Sequence, residues 1–210
     1  MERSNADLEQ FAYVVSHDLQ EPLRAVTIFT QLLQQRYQTQ LDETASGYIN
    51  HIVEGGIRMQ ALVDGILDFS RITHRGQTLE TIDLGSVIET VVDSLRRLIQ
   101  ETNTTVNWTH LPTITADQNQ ISQLFQNLIS NAIKFRSNDP PNIQIEAAPS
   151  TAENEAASWH VIVKDNGIGI NPKQKKRIFS LFQRLHTREE AEGYGIGLAI
   201  CKKIVERHNG

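Results

Sequence analysis

"YVVSHDLQEPLRAV", residues 13–26, sets His17 and Asp18 side by side on a stretch with helical spacing and follows them with Pro22. Apolar residues on both sides extend the pattern. Leu8, Phe11, Val15, Pro22, Val26, Phe29 and Leu33 recur in steps of three and four, or of their sum, seven. Ile49, Ile52, Met59, Val63 and Ile66 form a second stripe, with Gly56 inside it. Such spacing belongs to two amphipathic helices. Between them "YQTQLDETAS" is polar, and Asp42 is placed to cap the second helix. Two helices and a short connection make an antiparallel hairpin. A hairpin alone buries too little, whereas two copies make a four-helix bundle. A homodimer is therefore the expectation, rather than a stripe packed against the rest of the same chain.

His17 follows Val15 by two residues, so it projects about 200° away from that stripe, on the outer face. A helical histidine is more often a surface residue than a catalyst. Beside a carboxylate it is also a usable nucleophile, since Asp18 can hold one ring nitrogen as N–H and leave the other lone pair free. Pro22 removes the backbone bond to the Asp18 carbonyl and bends the helix near the histidine.

"THRGQTLETID", residues 73–83, breaks the stripes, and residues 75–82 read as a hinge. Domain boundaries at 1–74 and 83–210 follow. Beyond the hinge the periods mix. "LGSVIETVVDSLRRLIQ" (84–100) reads as a helix and "TTVNWTH" (104–110) as a strand. "TITADQNQISQLFQNLISNAIKF" (113–135) reads as a short strand, an N-cap at Asp117 and a long helix. "NIQIEAA" and "SWHVIVKD" read as strands joined through the polar "APSTAENEAAS", and a last helix is expected from Ile196 to Arg207. Strands interleaved with helices on one sheet predict an α+β (α/β) sandwich after the all-α hairpin.

Four stretches carry chemistry. "FQNLISNAIKF" (125–135) puts Asn127 and Asn131 four apart on one helix face, with Lys134 nearby. Two amides and a lysine suit a hydrated Mg²⁺ and polyphosphate oxygens, and equally a solvated polar face over inward Leu128, Ile129 and Ile133. "DNGIGI" (165–170) follows an apolar strand, with Asp165 placed to accept a hydrogen bond and Gly167 and Gly169 able to let backbone approach a ligand. A plain turn is the commoner use of such a sequence. "GYGIGLAI" (193–200) alternates Gly193, Gly195 and Gly197 and then opens a helix, whose free amides and dipole suit an anion. It lacks the spacing of a dinucleotide fold. "IFSLFQRLH" (178–186) brings Phe179, Phe182 and Arg184, after "NPKQ", where Asn171 caps a helix start and Pro172 occupies its first turn.

Taken in order, "SHDLQEPLR", "NLISNAIKF", "DNGIGI", "FSLFQRLH" and "GYGIGLAI" resemble the H, N, G1, F and G2 boxes of sensor histidine kinases. The likeness covers nearly the whole chain, and the wording is most similar to kinases attached to phytochrome-type and related PAS/GAF sensors. The resemblance implies that ATP and Mg²⁺ are cofactors and that His17 is phosphorylated with Asp18 as the adjacent base. It implies Asn131 as Mg²⁺ ligand supported by Asn127, Lys134 on phosphate, and Asp165 on the adenine amino group in a pocket shaped by Gly167 and Gly169. Residues 170–195 become the ATP lid, with Arg184 near the γ-phosphate and Gly193, Gly195 and Gly197 allowing closure. It also implies a homodimer, an upstream sensor domain and a response-regulator receiver as partners. Related ATPases of this fold carry a water-activating glutamate where this chain has Asn127, and an amide cannot act as that base. A degenerate, non-catalytic docking module is the other alternative, and the intact motif residues speak against it.

Two departures from the pattern stand out. Glu21 occupies the place, four residues after the histidine, where family phosphatases carry Thr or Asn, so weak phosphatase activity is expected. Family domains also usually continue for two strands beyond "VERHNG", so the ATP-binding domain is expected to be C-terminally incomplete.

Composition limits the remaining choices. The net charge of −5 gives no general attraction for nucleic acid, despite the local run Lys173, Lys175, Lys176, Arg177. Cys201 is the sole cysteine, which excludes an internal disulfide and a Cys-rich zinc site. No apolar run approaches the roughly 20 residues that cross a bilayer, and the polar N-terminus lacks a signal-peptide core. A cytoplasmic location without membrane contact is the expectation.

Overall fold

The computed structural model describes residues 2–74, 79–150, 158–183 and 195–210, with the side chains of 2–15, 17, 71, 73 and 74 outside that description. The chain divides into two compact units, Met1–His74 and Arg75–Gly210.

The first unit is a hairpin of α1 (Glu2–Tyr37) and α2 (Glu43–His74). Tyr37 ends α1, its carbonyl accepting from the amides of Gln40 and Leu41. Asp42 then caps α2, Oδ1 accepting the Ala45 amide at 2.7 Å. Over the described side chains of α1, the face turned to α2 is not the apolar stripe. Ser16 is buried, and Gln20, Leu23, Thr27, Thr30 and Gln34 are half-buried at the same helical spacing. Gln20 Nε2 donates to Asp64 Oδ1 and Gln34 Nε2 to Asn50 Oδ1, each at 2.7 Å. Thr27 lies directly against Gly56 of α2. These small and polar groups let the helices approach closely, while Val26, Phe29 and Leu33 stay at least half exposed. Ile52 and Met59 of α2 are 48% and 47% exposed, whereas Val63 and Leu67 are buried.

The second unit is an α/β assembly. Strand β1 (Glu80–Asp83) leads through the Asp83 cap into α3 (Leu84–Ser94). The helix expected over 84–100 breaks at Leu95, whose φ of −96° and ψ of 6° separate α3 from α4 (Arg96–Glu101). Next come β2 (Thr105–Trp108), β3 (Thr113–Ala116), α5 (Gln118–Lys134), β4 (Asn142–Pro149), β5 (Trp159–Asp165) and α6 (Gly197–Arg207).

Three sequence expectations change. Residues 80–82, placed in the hinge, belong to β1, which pairs antiparallel with β3 from Glu80↔Ala116 to Asp83↔Thr113. Among the described residues the strands form two sheets rather than one, because β1 and β3 pair only with each other while β4 lies between β2 and β5. The capped start at Asn171 opens a 3-10 turn (Pro172–Gln174), not an α-helix.

The core explains why α5 sits where it does. Ile121, Phe125, Ile129 and Ile133 are buried at intervals of four, against α3 and α6. Burying each such side chain is worth about 1.5–3 kcal/mol. On β4, buried Ile143 and Ile145 alternate with exposed Asn142 and Gln144. Asp117 fixes the start of α5, Oδ1 accepting from the amides of Asn119 and Gln120. The Asp117 amide itself donates to His208 Nε2 at 3.1 Å, and His208 Nδ1 donates to the Ile204 carbonyl at 2.8 Å. That pair of partners fixes the imidazole as the Nδ1–H tautomer and ties the end of α6 to the start of α5.

Candidate functional site

Helix α5 carries its apolar residues inward and leaves Asn127, Asn131 and Lys134 half-buried away from them. Asn127 faces the start of α6. A β-carbon at Gly197 would lie 3.2 Å from Asn127 Oδ1, so a side chain there requires the Asn127 amide to give by a few tenths of an ångström. Gly197 is the first residue of α6, and Ile196 before it makes no side-chain cap. Among the described residues, no side chain at the N-cap position takes up the leading amides of α6, which are the donors that a helix start leaves open. One turn further along, Cys201 packs against α5. Burial pushes its thiol up to about 12, with its own backbone hydrogen bond and one from the Asn127 side chain pulling partly back. Lys134 places Nζ 4.8 Å from the centre of the Phe135 ring.

At the other end of α5, the Phe135 carbonyl receives the Ile168 amide at 3.0 Å. A β-carbon at Gly167 would stand 2.5 Å from that carbonyl oxygen, a distance no side chain tolerates. Asp165, at the end of β5, accepts the Gly167 amide on Oδ1 at 2.8 Å. Gly169 takes φ of +73°, the left-handed region that favours glycine. The "DNGIGI" loop is thus seated against the C-terminal end of α5, about eight residues or 12 Å along the helix from the Gly197 contact.

Gly195 also has positive φ, +70°, and a β-carbon there would come within 2.5 Å of the Gln183 carbonyl oxygen. Its own carbonyl accepts the Phe182 amide at 2.9 Å, and Phe182 sits at φ +63°. Here the phenylalanine segment and the second glycine segment meet as backbone.

Asn127, Asn131, Lys134, Asp165, Gly167, Gly169, Gly195 and Gly197 therefore all lie in the same unit, on α5, at the end of β5, at the start of α6 or on loops. Asp18 is exposed on α1, in the other unit. The side chain of His17 and residues Arg184 and Gly193 lie outside the described residues. Two contributors were not legible beforehand. Asn166 and the Phe135 carbonyl hold the loop through hydrogen bonds whose partners, residues 140–142 and 168, are distant or backbone, so no spacing rule announces them.

For a nucleotide with Mg²⁺ the donor set fits. Half-buried amide oxygens, a lysine and the amides of a helix start are hard, phosphate-compatible groups, and Mg²⁺ needs few protein ligands when phosphates supply the rest. Gly167 and Gly195 let backbone approach backbone closely, whereas a β-carbon at Gly169 would meet nothing within 4 Å.

A helical hairpin joined to an α/β unit whose central helix is bracketed by two glycine-bearing loops defines the two-part core of a signalling kinase. Residues 7–75 match the His Kinase A (phospho-acceptor) domain, and residues 116–210 match the Histidine kinase-, DNA gyrase B-, and HSP90-like ATPase. The chain belongs to the histidine kinase family.

Its relatives include Cyanobacterial phytochrome A of Nostoc sp. (strain PCC 7120), 48% identical over 100% of this chain and 27% of the relative. Phytochrome-like protein Cph1 of Synechocystis sp. (strain PCC 6803) is 45% identical with the same coverage. The chain thus spans about a quarter of the length of these curated relatives. Among solved structures, full-length ShkA in complex with AMPPNP superposes with a TM-score of 0.63 at 25% identity, covering 94% of this chain and 40% of that one. Histidine kinase ThkA in complex with response regulator protein TrrA gives 0.60 at 24% identity, covering 100% of this chain and 59% of that one, a likeness of fold. No described helix is long and apolar enough to cross a membrane.

Proposed function

We propose that this chain is the catalytic core of a two-component protein-histidine kinase that binds ATP with Mg²⁺, autophosphorylates His17 and passes the phosphoryl group to an aspartate of a response-regulator receiver. The observation that carries this reading is the seating of both glycine loops on one helix, Gly197 against Asn127 and Gly167 against Phe135. An elongated ligand lying along α5 would meet a base-recognising carboxylate at one end and an anion-binding helix start at the other.

In this reading Asp165 receives the adenine amino group on its carboxylate, Oδ1 being already engaged by the Gly167 amide. Lys134 and the first amides of α6 receive phosphate oxygens, with Arg184 near the γ-phosphate and Gly193 and Gly195 in the lid. Asn131, supported by Asn127, would ligate Mg²⁺, which when bound neutralises polyphosphate charge. A neutral His17 nitrogen attacks the γ-phosphorus, the bond to the β-phosphate oxygen breaks, and ADP leaves. Asp18 orients the ring and stabilises the proton on its other nitrogen. Catalysis is positioning and charge neutralisation. The complex of ShkA with AMPPNP supports nucleotide binding by a protein of this fold.

Two copies bury the stripe of Val26, Phe29 and Leu33 in a four-helix bundle. The phytochrome relatives support an upstream sensor domain, and a cytoplasmic location accords with that arrangement. With Glu21 four residues after His17, phosphatase activity toward the receiver is expected to be weak, since a carboxylate cannot donate a hydrogen bond to a hydrolytic water.

Autophosphorylation with radiolabelled ATP and Mg²⁺, comparing wild type with His17→Gln, tests the reading. Label that is acid-labile, alkali-stable and lost in the variant is the expected result. Label that persists in His17→Gln would remove His17 from the role.

A further inference from the structure

Asn166 sits between two residues of the proposed nucleotide site, Asp165 and Gly167, yet its side chain turns away to a different segment. Its Oδ1 accepts the Asn142 amide at 2.8 Å, and its Nδ2 donates to the Pro140 carbonyl at 3.0 Å. The partners fix which way the amide points, because a backbone N–H needs the oxygen and a carbonyl needs the NH₂.

The segment it grips is stiff. Pro140 and Pro141 have fixed φ and no amide N–H, so Asn142 supplies the first donor there. Pro141 is fully buried, and its carbonyl accepts the Thr105 amide at 2.8 Å. Two residues beyond Asn166, the Ile168 amide is bound by the Phe135 carbonyl at the end of α5. The loop 166–168 is thus pinned at both ends to the connection between α5 and β4. That connection begins where α5, bearing Asn131 and Lys134, stops.

We propose that Asn166 is a positioning residue whose bidentate amide sets the Asp165–Gly167 loop at a fixed distance from the amide-and-lysine face of α5. It thereby determines nucleotide affinity without touching nucleotide. The inference rests on the reading of this unit as a nucleotide site. Aspartate keeps the acceptor for Asn142 and loses the donor to Pro140, while alanine loses both.

The test is titration of the 210-residue chain with AMPPNP and Mg²⁺, far below the melting temperature, for wild type, Asn166→Ala, Asn166→Asp and His208→Ala. His208→Ala is the comparator, because it breaks two hydrogen bonds at the opposite end of α6 from Gly197. Asn166→Ala is expected to bind about tenfold more weakly, the scale of a lost pair of hydrogen bonds. His208→Ala should stay within about twofold of wild type at a comparable loss of melting temperature. Autophosphorylation should follow the same split, KM rising in Asn166→Ala with kcat at saturating nucleotide kept. Should Asn166→Ala fail to fold, Asn166→Asp binding between about twofold and tenfold weaker carries the same support. Wild-type affinity in the folded Asn166 variants, or equal losses in Asn166→Ala and His208→Ala, would overturn the positioning role while leaving the nucleotide site intact. Failure of wild type itself to bind would overturn the nucleotide reading and this inference with it.

Discussion

Asn127 Oδ1 lies 3.2 Å from the point where a β-carbon on Gly197 would stand, which makes the first residue of α6 a direct neighbour of the polar face of α5. In Gly197→Ala the Asn127 amide must shift. At the first position of a helix alanine is no worse a helix residue than glycine, so the fold should hold. The expected outcome is AMPPNP affinity lowered about tenfold, roughly 1.4 kcal/mol, with a melting temperature near wild type. Calorimetric titration and thermal unfolding of the same samples check it, and unchanged affinity would detach this contact from ligand binding.

Gly55 and Gly56 are adjacent in α2 but meet different surroundings. A β-carbon at Gly55 meets nothing within 4 Å, whereas one at Gly56 runs into the Thr27 side chain. That threonine cannot easily turn aside, because its Oγ1 is bound to the Leu23 carbonyl at 2.9 Å and its Cβ is branched. Gly55→Ala is expected to stabilise the hairpin by about 0.8–1 kcal/mol through helix propensity. Gly56→Ala should destabilise it by about 1–3 kcal/mol through overpacking. Opposite shifts in chemical-denaturation midpoints are the readout, and equal stabilisation by both would show that the helices do not need the close approach.

The buried thiol of Cys201 sets an alkaline limit. Its pKa in the folded protein is raised to about 12, above the ordinary value of about 8.5. The unfolded chain therefore loses the proton first as pH rises. The thiol's share of stability is complete below about pH 8.5 and declines from there toward pH 12. Replacing it with alanine should flatten the loss of stability between pH 8.5 and 10.5 relative to wild type, as followed by denaturant titration at each pH. Iodoacetamide at pH 8 should label Cys201 slowly in the folded protein and readily in denaturant, read by mass spectrometry. Rapid labelling without denaturant would contradict the burial.

Phe29 is 67% exposed on α1, in the same stripe as Val26 and Leu33. If two copies join through this stripe, Phe29→Glu places charge in an apolar interface and should convert a dimer to a monomer at micromolar concentration. Sedimentation velocity reads the change. An unaltered dimer in this variant would place the interface elsewhere.

The hairpin was legible because two apolar stripes with helical spacing flank a polar turn, and Asp42 sits where a capping carboxylate belongs. The long helix behind Asp117 was legible for the same reason. Which face of α1 meets α2 was not. The apolar stripe is the stronger signal in one dimension, yet Ser16, Gln20, Thr27 and Gln34 face the partner helix. Polar and small residues carry no periodic signal until Asp64, Asn50 and Gly56 are known to lie opposite. The strand Glu80–Asp83 was hidden similarly: four residues that look like a connection become a strand only because Thr113–Ala116 offers them a ladder.

What the sequence determined by itself is the set of local conformations and groups: where helices start, which turns need glycine, and which carboxylates, amides and lysines are present in which order. Those depend on neighbours within a few residues. Tertiary structure alone decided which of these groups meet. Asn127 and Gly197 are 70 residues apart, and Phe135 and Ile168 are 33 apart. Their contacts exist because burying the apolar side of α5 against α3 and α6 carries its polar side to both glycine loops. Long-range packing of that kind is a property of the whole fold, and no single segment encodes it.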